Sequence, residues 1–169
     1  MILSALFWMI KTRRKGSRPR RPGFLRSYRV PQEQQMDTLT SDQRSKLMSR
    51  IRGKDTKPEM VVRRLLHGMG YRYRLHAKEL PGKPDIVFRR RRKAIFVHGC
   101  FWHGHEGCKL ARIPKSRVDF WIEKIGRNAE RDARAIKALE DRDWKTMTIW
   151  ECETKSPDLA DRLRSFLEV

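Results

Sequence analysis

The chain has 169 residues, room for one domain of ordinary size. Forty Lys and Arg stand against 20 Asp and Glu, a formal charge of +20, and 38% of the residues are hydrophobic. No stretch approaches ~18 apolar residues, which excludes a transmembrane protein. Five Trp, seven Phe and three Tyr need burial or stacking partners, which excludes a wholly disordered chain. The positive excess points to a polyanion, with nucleic acid the default and a solvated basic surface on an unrelated enzyme the alternative.

The charge is unevenly spread. Residues 1–35 carry nine Lys or Arg against a single acid, Glu33, and are interrupted by Pro19, Pro22, Pro31, Gly16 and Gly23. This stretch reads as a basic, disordered extension to a domain over residues 36–169. It is either a DNA-gripping arm or an extension ahead of a natural start at Met36. Its opening apolar run is too short to span a bilayer and lacks the preceding charge of a signal peptide.

After Met36 the pattern becomes regular. Ser41 or Asp42 caps a first helix with Leu47, Met48 and Ile51 on one face, closed by Gly53. Thr56 and Glu59 have capping-box spacing, and the helix they open carries Val61, Leu65, Leu66 and Met69 up to Gly70. Residues 71–75 alternate as a half-buried strand, and residues 85–88 and 93–97 are two further β-rich runs. Arg89 to Arg92 between them predict a hairpin with a basic tip. A Cys/His-rich loop follows over 98–108, then a long helix over 117–139 opened by Ser116. Residues 144–150 alternate again, and Ser156-Pro157 opens a last helix with Leu159, Leu163, Phe166 and Leu167 facing inward. The order α, α, β, β, β, α, β, α predicts an α/β fold, a mixed sheet with helices on its faces.

Cys100, Cys108 and Cys152 are the only cysteines, an odd count that argues against a disulfide scaffold. His98, His103 and His105 lie beside the first two. Three thiolates and one imidazole make a closed tetrahedral zinc site of the structural kind, with Cys152 supplied from the end of the last strand. Spacing alone leaves His103 and His105 equally feasible as the imidazole. Unrelated thiols and solvent histidines are the bland alternative. His67 and His76 stand alone and read as ordinary surface or helix-face residues.

Leu80-Pro-Gly-Lys-Pro-Asp85 places Asp85 at the start of a strand among basic residues, where a carboxylate suits a Mg²⁺ that must also touch phosphate. Many Mg²⁺ nucleases of the restriction-endonuclease-like superfamily follow such a Pro-Asp with an acidic-x-Lys motif. Here the next strand reads Phe96-Val-His98, with no acid and with histidine in place of lysine. Taken with Arg44 to Arg50, Thr56 to Glu59, Phe96-Val-His-Gly-Cys-Phe-Trp-His103, Phe120 to Asn128, Glu130-Arg-Asp132 and Trp150-Glu-Cys152, the body resembles the very short patch repair endonucleases, the Vsr family. The resemblance covers residues 37–152 and not the first 35.

That resemblance implies a restriction-endonuclease-like mixed sheet with a structural zinc. It implies a Mg²⁺-dependent nickase that cuts double-stranded DNA 5′ of the T in T:G mismatches left by 5-methylcytosine deamination. Asp85 would be the Mg²⁺ carboxylate and the Val97 backbone carbonyl a second contact. His103 would be the general base, Asp132 its support, and Glu59 and His98 further active-site residues. Cys100, His105, Cys108 and Cys152 would be the Zn²⁺ ligands. Phe101, Trp102 and Trp121 would form an aromatic wedge beside the mismatch, where an apolar group unstacks a step. Core packing is the alternative for Trp121, and a helix cap for Glu59. Glu106 and Gly107 make the zinc loop one residue longer than the familiar pattern, which bears on the choice of His105 over His103. The resemblance further implies a monomer in the bacterial cytoplasm, associated with the nucleoid and linked to a MutL-type repair protein. The competing readings are a zinc-containing DNA-binding module without cleavage, and a nuclease of the same fold with relaxed specificity.

Overall fold

The computed structural model describes residues 40–49 and 53–168; the basic stretch 1–35, and Ile51 of the first helix, lie outside them. Five helices and four strands follow in the order α1 (Ser41–Ser49), α2 (Lys57–Gly68), β1 (Arg74–Leu75), β2 (Ile86–Phe88), β3 (Lys93–His98), α3 (Cys100–His103), α4 (Val118–Glu140), β4 (Lys145–Trp150) and α5 (Leu159–Glu168). The strands form one sheet in the order β1-β2-β3-β4. The first three pair antiparallel, and β4 lies parallel to β3 from Lys93↔Lys145 to His98↔Trp150. A parallel pair needs a long crossover, and α4 supplies it. The expected mixed α/β sheet is therefore present.

The first helix opens one residue earlier than expected. Thr40 Oγ1 accepts from the Gln43 amide and Gln43 Oε1 from the Thr40 amide, at 3.3 and 2.9 Å, so the capping box starts at Thr40 rather than at Ser41 or Asp42. In α2, Thr56 is the N-cap as expected, its hydroxyl accepting from the Glu59 amide. The strand expected over 71–75 shrinks to two exposed residues. Its partner β2 offers only three, and Tyr71 and Tyr73 instead set their rings edge-on to Phe88. Ser116 does not open α4. Arg117 does, in a left-handed conformation (φ 53°) and without a side-chain cap.

Every residue of β3 is buried, as a central strand covered on both faces must be. Period-2 alternation sorts its side chains. Ile95 and Val97 join Val62 and Leu66 of α2 and Leu159, Leu163 and Leu167 of α5 on one face. Ala94 and Phe96 meet Leu139 of α4 on the other. His98, two residues beyond Phe96, is thereby sent to the α4 side. The expected inward face of α5 is present, with Phe166 only partly buried.

The arginine run is not a free hairpin tip. Arg89 pairs with Glu79, Arg91 donates to the Leu167 carbonyl (2.9 Å), and Arg92 reaches the Arg142 carbonyl. Lys93, buried beneath them, donates to the Phe166 and Leu167 carbonyls at 2.7 and 3.1 Å and so satisfies the C-terminal end of α5. These cations sit where β3 begins, and the strand carries the chain from them to the opposite end of the sheet, where Asp85 and His98 lie.

Candidate active site and metal centre

The turn before β2 delivers Asp85. Gly82 (φ +70°) lies so close to α4 that a Cβ on it would stand 2.5 Å from the Ala135 Cβ, so only glycine lets this loop pack there. Asp85 Oδ2 accepts from the Val97 amide at 2.8 Å, which ties the carboxylate to the end of β3. Burial pushes its carboxyl up to about 6, against the Val97 amide, which favours the charged form. Its other oxygen lies 3.9 Å from His76 Nδ1.

His98 ends β3 and is buried; its ring stacks on that of His103 at 3.9 Å and 7°. Burial first, then the neighbouring His103, pushes His98 down to about 4, so its ring is neutral at pH 7. His103 comes from α3, a helical turn where the sequence reading had a loop, and its Nδ1 meets Asp132 Oδ2 of α4 at 2.5 Å. Burial acts to raise the Asp132 carboxyl, but the hydrogen bond and charge of His103 hold it below the usual carboxylate range. Asn128, one turn earlier on α4, donates to the Trp102 carbonyl at 2.9 Å and so also fixes α3. Glu59, Asp85, His98, Trp102, His103 and Asp132 line one groove of about 1150 Å³.

Glu59 is buried and fully occupied. Its carboxylate accepts from the Asp55 amide (3.1 Å), the Thr56 hydroxyl (3.0 Å) and Arg63 Nη2 (3.0 Å). The cap and the groove wall are thus one residue.

Phe101, Trp102 and Trp121 cluster edge-to-face, with centroids 5.0, 5.2 and 6.1 Å apart. They are half-buried, and Trp121 is not a core residue. Phe120, 40% exposed, joins them. Lys124 Nζ lies 5.6 Å from three of these rings, and Arg117 stacks over Phe120 at 4.6 Å. Phe120 and Lys124 lie in the stretch that carries the family resemblance but have no assigned role there, and neither has Arg117, although Phe120 adjoins Trp121 and Lys124 lies one turn on.

Behind α3, one ligand atom from each of Cys100, His105, Cys108 and Cys152 falls within 4.8 Å of the others. His105 Nδ1 is 3.5 Å from Cys100 Sγ and 3.3 Å from Cys152 Sγ. His103 is turned away, into the groove. The left-handed Gly104 (φ 66°) makes that division by reversing the chain so that the His105 amide bonds the Cys100 carbonyl at 3.0 Å. His105 also stacks flat on Trp150 at 4.2 Å. Burial pushes the Cys100 thiol up to about 12 and raises Cys152, while the Leu110 amide lowers Cys108; a cation that takes thiolates would suit this crowded set. Three sulfurs and one nitrogen in this arrangement fit tetrahedral zinc. Among the described residues, no helix is long and apolar enough to cross a membrane.

His76, read from the sequence as an isolated surface residue, instead faces Asp85 across the start of the sheet, and Arg63 bonds its Nε2 at 3.0 Å. Only the spacing of Arg63, four residues after Glu59 on one helix, hinted at this group. His67 is exposed on α2, as expected.

Residues 36–109 match the family described as "DNA mismatch endonuclease Vsr". The chain is 50% identical over 133 residues to the "Type II nicking enzyme V.XorIIP" of Xanthomonas oryzae pv. oryzae, covering 78% of this chain and 97% of that protein. It is 47% identical over 120 residues to the "Type II nicking enzyme V.NmeAIP" of Neisseria meningitidis, covering 71% and 85%. With the "DNA mismatch endonuclease Vsr" of Escherichia coli it shares 41% over 130 residues, covering 73% and 83%. Identity of this order across most of both proteins settles the relationship: the chain belongs to the Vsr family of DNA mismatch endonucleases and is a DNA endonuclease.

Proposed function

We propose that the protein nicks one strand of double-stranded DNA 5′ of the T in a T:G mismatch, using Mg²⁺ for the chemistry and Zn²⁺ for structure. The observation that carries this reading is the meeting, in one groove, of the Asp85 carboxylate with the His98–His103–Asp132 stack, beside a half-exposed aromatic cluster.

Each group has a part that its geometry suits. Asp132 holds the His103 proton on Nδ1, which leaves Nε2 as the lone pair that takes a proton from the attacking water. The neutral His98 ring, stacked below, keeps the His103 plane in place without adding a second positive charge. Asp85, with the Val97 backbone carbonyl, would hold Mg²⁺, which supplies charge neutralisation at the scissile phosphate and leaving oxygen. Glu59 buttresses the wall beside Asp85. Cys100, His105, Cys108 and Cys152 would hold Zn²⁺ and so join α3 to the end of β4. Phe101, Trp102 and Trp121 enter beside the mismatch, where weakened stacking lowers the cost of insertion, and Lys124 and Arg117 meet the adjoining phosphates. One chain carries the whole set, which suits a monomer working on bacterial DNA in the cytoplasm.

The test is a nicking assay with Mg²⁺ on end-labelled duplexes that differ in one base pair, T:G against C:G, with both strands followed. A single cut 5′ of the mismatched T, in the T:G duplex alone, is expected. Cutting of both duplexes would replace mismatch repair by relaxed-specificity cleavage. Tight binding with no cut would leave a zinc-containing binding module.

A further inference from the structure

A second group of ionisable side chains abuts the groove, and the mechanism above uses only Glu59 of it. Ligand atoms of Asp55, Glu59 and His76 fall within 4.8 Å of one another, a spacing that would suit a cation. The cation is already there as Arg63. Arg63 is 7% exposed; its Nη1 lies 2.6 Å from Asp55 Oδ1, and its Nη2 lies 3.0 Å from both Glu59 Oε2 and His76 Nε2.

The contact with His76 has one chemical solution. A guanidinium nitrogen donates and never accepts, so His76 Nε2 must be the acceptor. A neutral imidazole that accepts at Nε2 carries its proton on Nδ1. That Nδ1 is the atom 3.9 Å from Asp85 Oδ1, the carboxylate oxygen not bonded to Val97. The backbone holds the same pair together, because the His76 amide donates to the Asp85 carbonyl at 3.1 Å. His76 also sits in a left-handed conformation, φ 46°. A non-glycine residue held there is strained, and such outliers gather where function fixes the geometry.

We propose that Arg63 and His76 are positioning residues for Asp85: Arg63 fixes His76 as the Nδ1–H tautomer, and His76 presents that N–H to the free carboxylate oxygen. The carboxylate is then oriented from both sides, by the Val97 amide on Oδ2 and by the imidazole on Oδ1. The present 3.9 Å is longer than a hydrogen bond, and such contacts shorten when a substrate complex closes. Arg63 ties Glu59 into the same unit, so the start of α2 and the start of β2 move together. This inference rests on the reading of Asp85 as the carboxylate that takes the divalent cation.

The test has two arms. Long-range ¹⁵N–¹H correlation on the imidazole rings of the full chain reads the His76 tautomer directly, with His76→Gln assigning the signal. A protonated Nδ1 and bare Nε2 at neutral pH are expected; the Nε2–H tautomer or a doubly protonated ring would overturn the proposal. Nicking of a T:G duplex is the second arm. His76→Leu should lower the turnover rate 10–100-fold with DNA affinity unchanged, the range typical of groups that orient metal carboxylates. His76→Gln should recover most of that rate, since its amide can accept from Arg63 and donate to Asp85. Equal losses in both variants, or no loss in the leucine variant, would refute the relay. Asp85→Asn separates the two readings: if it nicks at the wild-type rate, the metal assignment fails while the ring spectrum still reports on His76.

Discussion

Replacing Asp132 by Asn probes the histidine stack most directly. The wild-type carboxylate only accepts, so it dictates which nitrogen of His103 carries the proton. An amide accepts or donates, and that instruction is lost. In the proposed mechanism the carboxylate would also stabilise the imidazolium formed if His103 takes the proton of the attacking water. Two unit charges about 4 Å apart at an effective dielectric near 20 interact by roughly 4 kcal/mol. The Asp132 side chain is 18% exposed and Arg131 competes for its other oxygen at 3.3 Å, so about half of that survives screening. Adding about 1 kcal/mol for the wrong tautomer gives roughly 3 kcal/mol, or about 100-fold in rate. The assay is single-turnover nicking of a T:G duplex at saturating enzyme between pH 6 and 8, with DNA binding measured separately. A rate within threefold of wild type throughout that range would refute this use of Asp132, as would a loss carried wholly by DNA affinity.

Further outcomes are expected. Asp85 has its carboxyl raised from 3.8 to about 6, so its contribution to stability is complete below 3.8 and disappears as pH rises through 6; His98, lowered from 6.5 to about 4, contributes fully above 6.5 and loses this as pH falls through 4. Because a cation must displace the Asp85 proton, Mg²⁺ affinity should climb with pH and level off above about 6, and a flat calorimetric titration between pH 5 and 7 would remove Asp85 from the site. Cys152→Ser should release zinc, read by metal analysis, and lower both the melting temperature and nicking; full zinc retention would exclude Cys152 as a ligand. Gly82→Ala should cost about 2 kcal/mol or more, several degrees of melting temperature, because a Cβ there meets Ala135 at 2.5 Å on a φ of +70°. Deleting residues 1–35 should leave the nicking rate intact and make DNA affinity less sensitive to salt; identical salt slopes would show that the nine basic residues make no phosphate contacts.

What could be read in the sequence was whatever local chemistry writes down. The capping residues of α2, the inward leucines of α5 and the apolar runs of β2, β3 and β4 depend on neighbours a few positions away. The candidate site residues were legible for a different reason, since residue types and spacing across 37–152 resemble a known family. The failures have a common physical form. β1 was overextended because a strand is only as long as its partner, and β2 stops after Phe88. The arginine run looked like a free tip because nothing local reveals that the α5 C-terminus returns to lie on it. His76 looked isolated because Arg63 lies 13 residues before it and Asp85 nine after, brought together only by the sheet.

The loop expected over 98–108 matters most, because its helical first turn couples three jobs. Successive residues in a helix point about 100° apart. Cys100 meets the sulfur cluster, Phe101 and Trp102 meet the aromatic surface, and His103, about 60° round from Cys100, meets the groove. A flexible loop could satisfy any one of these and let the others drift. The helical turn cannot, because rotating it to improve one contact spoils the other two. Its anchors come from separate elements: Asn128 and Asp132 on α4, and Glu151, just after β4, which accepts from the Cys100 amide at 3.3 Å. Metal loss should therefore act on the chemistry through geometry. Freed of its sulfur contacts, α3 keeps the α4 anchors, the His98 stack and the Glu151 bond, and the His103–Asp132 bond is the next to be tested by every fluctuation.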